Sequence, residues 1–249
     1  MKRYEKLLVA FSFVLCGFLC VPQRAGAMHI MEGYLPATHC IVWGILCIPF
    51  LVAGVISVRR IAQEQRKAML ILAMSGAFVF VISSLKIPSV TGSCSHMTGT
   101  GLTSILFGVP AAAILGIIVL VFQAILLAHG GLTTLGANTF SMAIAGPILS
   151  YVLYKVTRKA NLPKNLCVFL AASLGDLFTY CVTSIQLALA YPSANGGVLA
   201  SAVQFLGVFA PTQVPLAILE GLLTMIIIIG LESYAKPELR AIGFIKEGK

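Results

Sequence analysis

Long apolar runs separated by short polar segments set the pattern of this chain. The first covers residues 7–21, behind Lys2, Arg3 and Lys6, and is followed by Pro22-Gln23-Arg24-Ala25-Gly26-Ala27. A basic start, an apolar stretch shorter than the ~20 residues a spanning helix needs, and an Ala-x-Ala site together mark a cleaved signal peptide. Cleavage after Ala27 would leave Met28 as the new amino terminus, outside the cytoplasm, with His29 second. An uncleaved anchor is the alternative. Further runs predict spans over about 40–58, 68–85, 102–128, 132–154, 165–190, 197–209 and 212–231, the fourth softened by Gly136, Asn138, Gly146 and Pro147 and the sixth short.

These runs predict an all-α polytopic membrane helix bundle of about seven transmembrane helices after a signal peptide at 1–27, with 28–249 as one membrane-embedded domain. Arg59, Arg60, Arg66 and Lys67 place the first loop inside, and the basic tail with Lys236, Arg240, Lys246 and Lys249 also falls inside. Lys155, Arg158, Lys159 and Lys164 would then face outward, against the rule. Treating 197–209 as a surface segment gives six spans and repairs that loop. Seven is preferred because the charge rule is a bias. No internal repeat is visible.

Composition closes off other classes. Hydrophobic residues are 59% of the 249 and charged residues 10%, against roughly 25% charged in soluble domains, and the mean hydropathy is +0.98. A soluble globule, a disordered chain, a coiled coil and a disulfide scaffold are excluded. The net charge of +9 would suggest nucleic acid in a soluble protein, but here the basic residues lie between and beyond apolar runs and orient the chain. Of the seven cysteines, Cys16 and Cys20 lie in the leader, while Cys40, Cys47, Cys167 and Cys181 lie in or beside spans, as small buried hydrophobes do. Cys94, in a loop, is kept as a candidate metal ligand.

The mature start Met28-His29 carries chemistry. A free amine, the His29 amide nitrogen and His29 Nδ1 close a five- and a six-membered chelate ring and put three nitrogens in a plane, a set that favours late first-row metals. A fourth imidazole would complete the square. The loop Ser93-Cys94-Ser95-His96-Met97-Thr98-Gly99-Thr100-Gly101 offers one on the same outer face, among small residues that let backbones approach. His39, at the outer mouth of the first span beside Cys40, suits a supporting group or a transient ligand. His129 falls near the inner end of the third span and suits a structural or partner-facing role. Asp176 and Glu220 lie within apolar runs. They serve either as ion-path carboxylates or as hydrogen-bonded interhelical contacts with Thr179, Gln186, Gln204 or Gln213. The phosphate loop G-x-x-x-x-G-K-[ST], H-E-x-x-H and G-x-S-x-G are absent. Uphill uptake would therefore draw its energy from a partner or an ion gradient.

Met28-His29-Ile30-Met31-Glu32-Gly33-Tyr34-Leu35-Pro36 resembles the start of the CbiM family, and the His96 loop resembles its second signature, with Met97 where proline is more usual. Phe122 to Asn138, Gly175-Asp176-Leu177 with Thr179-Tyr180, and Thr212-Gln213-Val214-Pro215 with Glu220-Gly221 are also similar, so the resemblance covers the whole mature chain. It implies the substrate-capture subunit of a cobalt or nickel energy-coupling factor importer. Its metal, Co2+ or Ni2+, would be held by Met28, His29 and His96, with His39 and Cys94 as supporting groups. It further implies a transmembrane coupling protein, ATPase subunits and a small accessory membrane protein as partners. The cobalt would feed cobalamin synthesis, and the setting would be a bacterial or archaeal cell membrane with the tail in the cytoplasm. Ala73 and Ala77, in Ala73-Met74-Ser75-Gly76-Ala77, resemble the family's small-residue contact with the coupling protein. No resident cofactor and no enzyme activity are expected of this chain. A membrane enzyme using His29, His96 and Glu220 around a catalytic metal, or a passive metal channel, are the alternatives. Stoichiometric binding without turnover separates the first from capture, and uptake without ATPase partners marks the second.

Overall fold

The computed structural model describes residues 29–64, 66–88 and 94–245. The leader, Met28 and the side chain of Cys94 lie outside the described residues. Helices dominate: α1 Ala37–Glu64, α2 Ala68–Ser84, α3 Thr100–Phe107, α4 Val109–Leu126, α5 Leu135–Lys159, α6 Lys164–Ala190, α7 Gly197–Tyr234 and α8 Lys236–Ala241. A two-residue antiparallel hairpin, β1 Ile87–Pro88 on β2 Cys94–Ser95, leads into α3. Among the described residues α1, α4, α5, α6 and α7 are long and apolar enough to cross a membrane, and α2 is an apolar helix of 17 residues. Most large side chains on α1 point outward, including Ile41, Ile45, Ile48, Val52 and Ile56, as suits a helix facing lipid.

Three expected spans are built differently. The run 102–128 is not one helix. Gly108, at φ +85°, breaks it where Pro110 follows, and proline is at home in the first turn of the next helix. The chain therefore reaches Phe107 by a strand and a short helix and turns back along α4. The expected sixth and seventh spans are a single 38-residue helix, α7, with Pro211 and Pro215 inside it. At ~1.5 Å per residue it is about 57 Å long, well beyond the ~30 Å hydrocarbon layer. Neighbouring helices and side chains re-satisfy backbone groups freed by proline in such a setting.

The turn at Gly108 reverses the sidedness of the elements after it, until the fusion of the sixth and seventh expected spans into α7 restores that of the tail. Tyr151, Lys155, Arg158 and Lys164 line one cleft with Phe107, Gly108 and Phe244, and Phe107 and Ile242 also border Arg60 and Glu64 at the end of α1. Lys155, Arg158 and Lys164 thus share an end of the bundle with the basic end of α1 and with the tail, not the opposite end expected for them. Lys164 pairs with Glu232 there. The same turn carries His129 to the other end.

The core of the bundle is α5, α6 and α7 around α3. Gly146 and Gly175 face each other so closely that a Cβ on Gly175 would fall 3.1 Å from the Gly146 carbonyl oxygen. Over Thr139–Ala145 the α5 backbone opens into a π-helix, and the Met142 carbonyl accepts a hydrogen bond from Thr100 Oγ1 at 3.1 Å. That contact ties the start of α3, just past the His96 loop, to α5.

Candidate metal centre

Three separate segments meet at the end of the bundle away from the basic cleft. Residues 29–36 lie across the loop between α4 and α5. Glu32 N–H donates to the Gly130 carbonyl at 3.1 Å, and Thr133 N–H donates to the Glu32 carboxylate at 3.2 Å. A side chain on Gly131 would sit 2.5 Å from Glu32 Cα, so only glycine admits this crossing. Asn138, at the start of α5, holds both backbone groups of Ile30: its Oδ1 accepts the N–H at 2.8 Å and its Nδ2 donates to the carbonyl at 3.0 Å. Thr134 Oγ1 donates to that carbonyl as well, at 2.6 Å. His29 is therefore fixed through its neighbour Ile30.

His96 arrives from the hairpin side. Ser95 Oγ bonds Thr212 Oγ1 at 2.7 Å, Gln213 Nε2 donates to the His96 carbonyl at 3.2 Å, and Thr98 N–H donates to Glu220 Oε2 at 2.6 Å. The imidazole Nδ1 lies 2.8 Å from the Met97 carbonyl oxygen. A carbonyl only accepts, so Nδ1 carries the proton and Nε2 presents a lone pair, the state a metal ligand requires. That Nε2 touches His29 Nδ1.

His129 completes the set. His29, His96 and His129 each offer one nitrogen within 4.8 Å of the others, and their ring centroids lie 4.4, 4.5 and 5.1 Å apart. All three are buried, His96 completely. Burial and the neighbouring His96 and His129 hold His29 well below its ordinary range. Burial pushes His96 down to about 4 and His129, with His96 adding to the effect, down to about 3. His29 Nε2 and His129 Nε2 are buried without a hydrogen-bond partner. Neutral, close-set imidazoles with free lone pairs can hold a soft-to-borderline divalent cation.

The structure thus brings His29 and His96 together. His39 is outside the cluster: its Nδ1 is 3.4 Å from Thr38 Oγ1 in a shallow apolar groove with Val42, Trp43 and Leu189. Ala73 and Ala77 are exposed on α2 and, with Gly76, Phe80, Leu115 and Phe122, line a groove of about 320 Å³. His129, read from sequence as structural or partner-facing, and Asn138, read only as softening its span, prove to belong to the cluster and its support. The signal for His129 was local: like the His96 loop, it is a histidine followed by glycines and threonines, Gly130, Gly131, Thr133 and Thr134.

Replacing Asn138 by leucine keeps the volume but strands the Ile30 N–H. Losing a buried hydrogen-bond partner costs about 1–3 kcal/mol, so the affinity of the cluster for a divalent metal is expected to weaken by about tenfold with the fold retained. Calorimetric titration beside a melting curve checks this, and unchanged affinity would remove Asn138 as the clamp.

The family model for CbiM, described as "Cobalt uptake substrate-specific transmembrane region", matches residues 29–239. The cobalt transport protein CbiM of Lachnoclostridium phytofermentans is 66% identical over 250 residues, covering 100% of this chain and 99% of that protein. That of Clostridioides difficile is 56% identical over 227 residues, 91% of this chain and 90% of the other. A crystal structure of a truncated transition metal transporter is 27% identical with a TM-score of 0.71, covering 83% of this chain and 99% of that one. The chain belongs to the CbiM family, the membrane component of cobalt uptake.

Proposed function

We propose that this chain is the substrate-capture subunit of an energy-coupling factor importer and binds Co2+, before Ni2+, as its cargo. The observation that carries the reading is the buried cluster of three imidazoles, with His96 Nε2 left free by the Nδ1 bond to Met97 and aimed at His29 Nδ1. In this reading residues 1–27 are cut away, and the new Met28 amine, the His29 amide and Nδ1, and His96 Nε2 supply four nitrogens. His129 adds a further imidazole at the same place. Cys94 is kept as a supporting group, whereas His39 sits in its own groove outside the cluster.

The histidine end faces outward and the end with Lys155, Arg158 and the tail faces the cytoplasm, which brings the basic residues into line with the charge rule. ATP hydrolysis belongs to partner subunits, and a coupling protein and a small accessory membrane protein complete the importer. The cobalt supplies cobalamin synthesis. A catalytic metal site would need a base close by, whereas both oxygens of Glu220 are occupied by Thr98.

Terminal sequencing together with Co2+ titration tests the reading. The purified chain is expected to start at Met28 and bind one Co2+ without hydrolysing ATP. An intact Met1 with full binding would overturn the amine as a ligand. The exposed Ala73 and Ala77 would meet the coupling protein by close helix approach. Ala73→Leu and Ala77→Leu are expected to leave Co2+ affinity unchanged but to cut uptake by the assembled transporter about tenfold or more, the effect of blocking a small-residue contact. Unchanged uptake in both would take that face out of the interface.

A further inference from the structure

Two carboxyl groups lie side by side in the middle of the bundle. Asp176 on α6 and Glu220 on α7 are buried, at 1% and 0% exposure, and lie near enough for each to feel the other. Among the described residues the ion pairs are Arg60–Glu64 and Lys164–Glu232, so no lysine or arginine pairs with either group. Two bare carboxylates so near each other, deep in an apolar bundle, repel each other and lose their hydration. One proton held between them would relieve both costs, since a carboxylate only accepts whereas a carboxylic acid also donates.

The surroundings decide where that proton sits. Glu220 accepts Thr98 N–H at 2.6 Å and Thr98 Oγ1–H at 3.0 Å. Such donors stabilise the charged form. Asp176 Oδ2 accepts Gln213 Nε2 at 2.6 Å, while Oδ1 is buried without a donor. Glu220 is therefore better placed as the anion and Asp176 as the group that keeps the proton.

Both groups lead to the His96 segment. The same Gln213 Nε2 that reaches Asp176 donates to the His96 carbonyl, and Glu220 grips Thr98, two residues on. We propose that Asp176 and Glu220 share one proton, carried by Asp176, and that with Gln213 they are positioning residues that fix the backbone of His96. The positioning role rests on the metal reading above; the shared proton does not.

The isosteric amides tell the two carboxyls apart. Asp176→Asn keeps a donor towards Glu220 and an acceptor for Gln213, so Co2+ affinity is expected to stay within about threefold, the scale of a conserved hydrogen-bond count. Glu220→Gln turns an amide N–H2 towards donors from Thr98 and is expected to weaken Co2+ binding about tenfold or more, as loss of a charge-assisted bond does. Gln213→Met cuts the link to His96 and leaves Thr98 and Glu220 joined. It is expected to weaken Co2+ binding comparably, which keeps the proposal testable if Glu220→Gln does not fold.

Infrared spectroscopy of the metal-free full chain gives a readout independent of metal. A protonated carboxyl C=O stretch is expected in the wild type and lost in Asp176→Asn. Its absence from the wild type would overturn the shared proton. Equal damage by Asp176→Asn and Glu220→Gln would overturn its placement on Asp176. Wild-type affinity in Gln213→Met would overturn the positioning role. A wild type that binds no Co2+ yet shows the stretch would sink the metal reading and leave the shared proton standing.

Discussion

His96→Ala is expected to weaken Co2+ binding by more than about 100-fold, beyond the 10–100-fold typical of groups that only support a ligand. His96 Nε2 is the lone pair aimed at His29 Nδ1, and its other nitrogen is committed to Met97, so no rotation of a neighbour replaces it. His129→Ala removes an imidazole whose Nε2 is buried in the same cluster without a partner. It is expected to cost less, about 10–100-fold in the range of supporting groups. His39→Ala, on the groove with Thr38 and Trp43, is expected to leave affinity within about twofold, as surface substitutions do. Calorimetric titration of the three purified variants, each checked for an unchanged melting temperature, separates these outcomes. Equal losses at His39 and His96 would move the metal away from the cluster.

That His29 and His96 meet was legible because the chemistry is local: a histidine beside a terminus and a histidine among glycines and threonines, each readable without the fold. His129 carries the same local signal, but its place beside them was not legible, because its side of the bundle depends on how many times the chain has crossed before it. The apolar run 102–128 reads as one span by hydropathy alone, since Gly108-Val109-Pro110 are nearly as apolar as their neighbours. A single turn with φ +85° at Gly108 sends the loops between it and α7 to the opposite end. The same miscount put Lys155, Arg158 and Lys164 on the wrong side.

The prolines at 211 and 215 misled in the other direction. They suggested a break between two spans, but a bilayer helix tolerates proline where neighbours supply the missing partners, and α7 runs straight past both. For Asp176, Gln213 was among the partners expected. That Glu220 would grip Thr98 could not be read, because the approach of loop 94–99 to α7 depends on tertiary packing, not on local periodicity.

The pH dependence of metal binding separates two ways of using the cluster. From sequence alone, affinity should fall through both the amine and the imidazole ranges. Burial changes this, because His96 is held down to about 4, His129 to about 3, and His29 also well below its usual value. From pH 7 down to about 5 the imidazoles are already neutral, so they release no proton when Co2+ arrives. The Met28 amine, ordinarily at about 7.7–8.0, and the His29 amide still must each lose one. A site that uses them is expected to release close to two protons per Co2+ at pH 6.5. Its affinity then drops about hundredfold for each pH unit below 7, the slope that two linked protons give. A site built on the three imidazoles alone is expected to release almost none and to keep its affinity until pH approaches 4. The same shifts act on the metal-free fold. Imidazoles that bind protons when unfolded but not when folded remove stability as pH falls from about 6.5 towards 4, so the apo chain is expected to melt lower at pH 5 than at pH 7. Titration calorimetry in buffers of different ionisation enthalpy counts the protons directly. Flat affinity from pH 7 to 5 with no proton release would exclude the amino-terminal chelate and leave the metal on His29, His96 and His129.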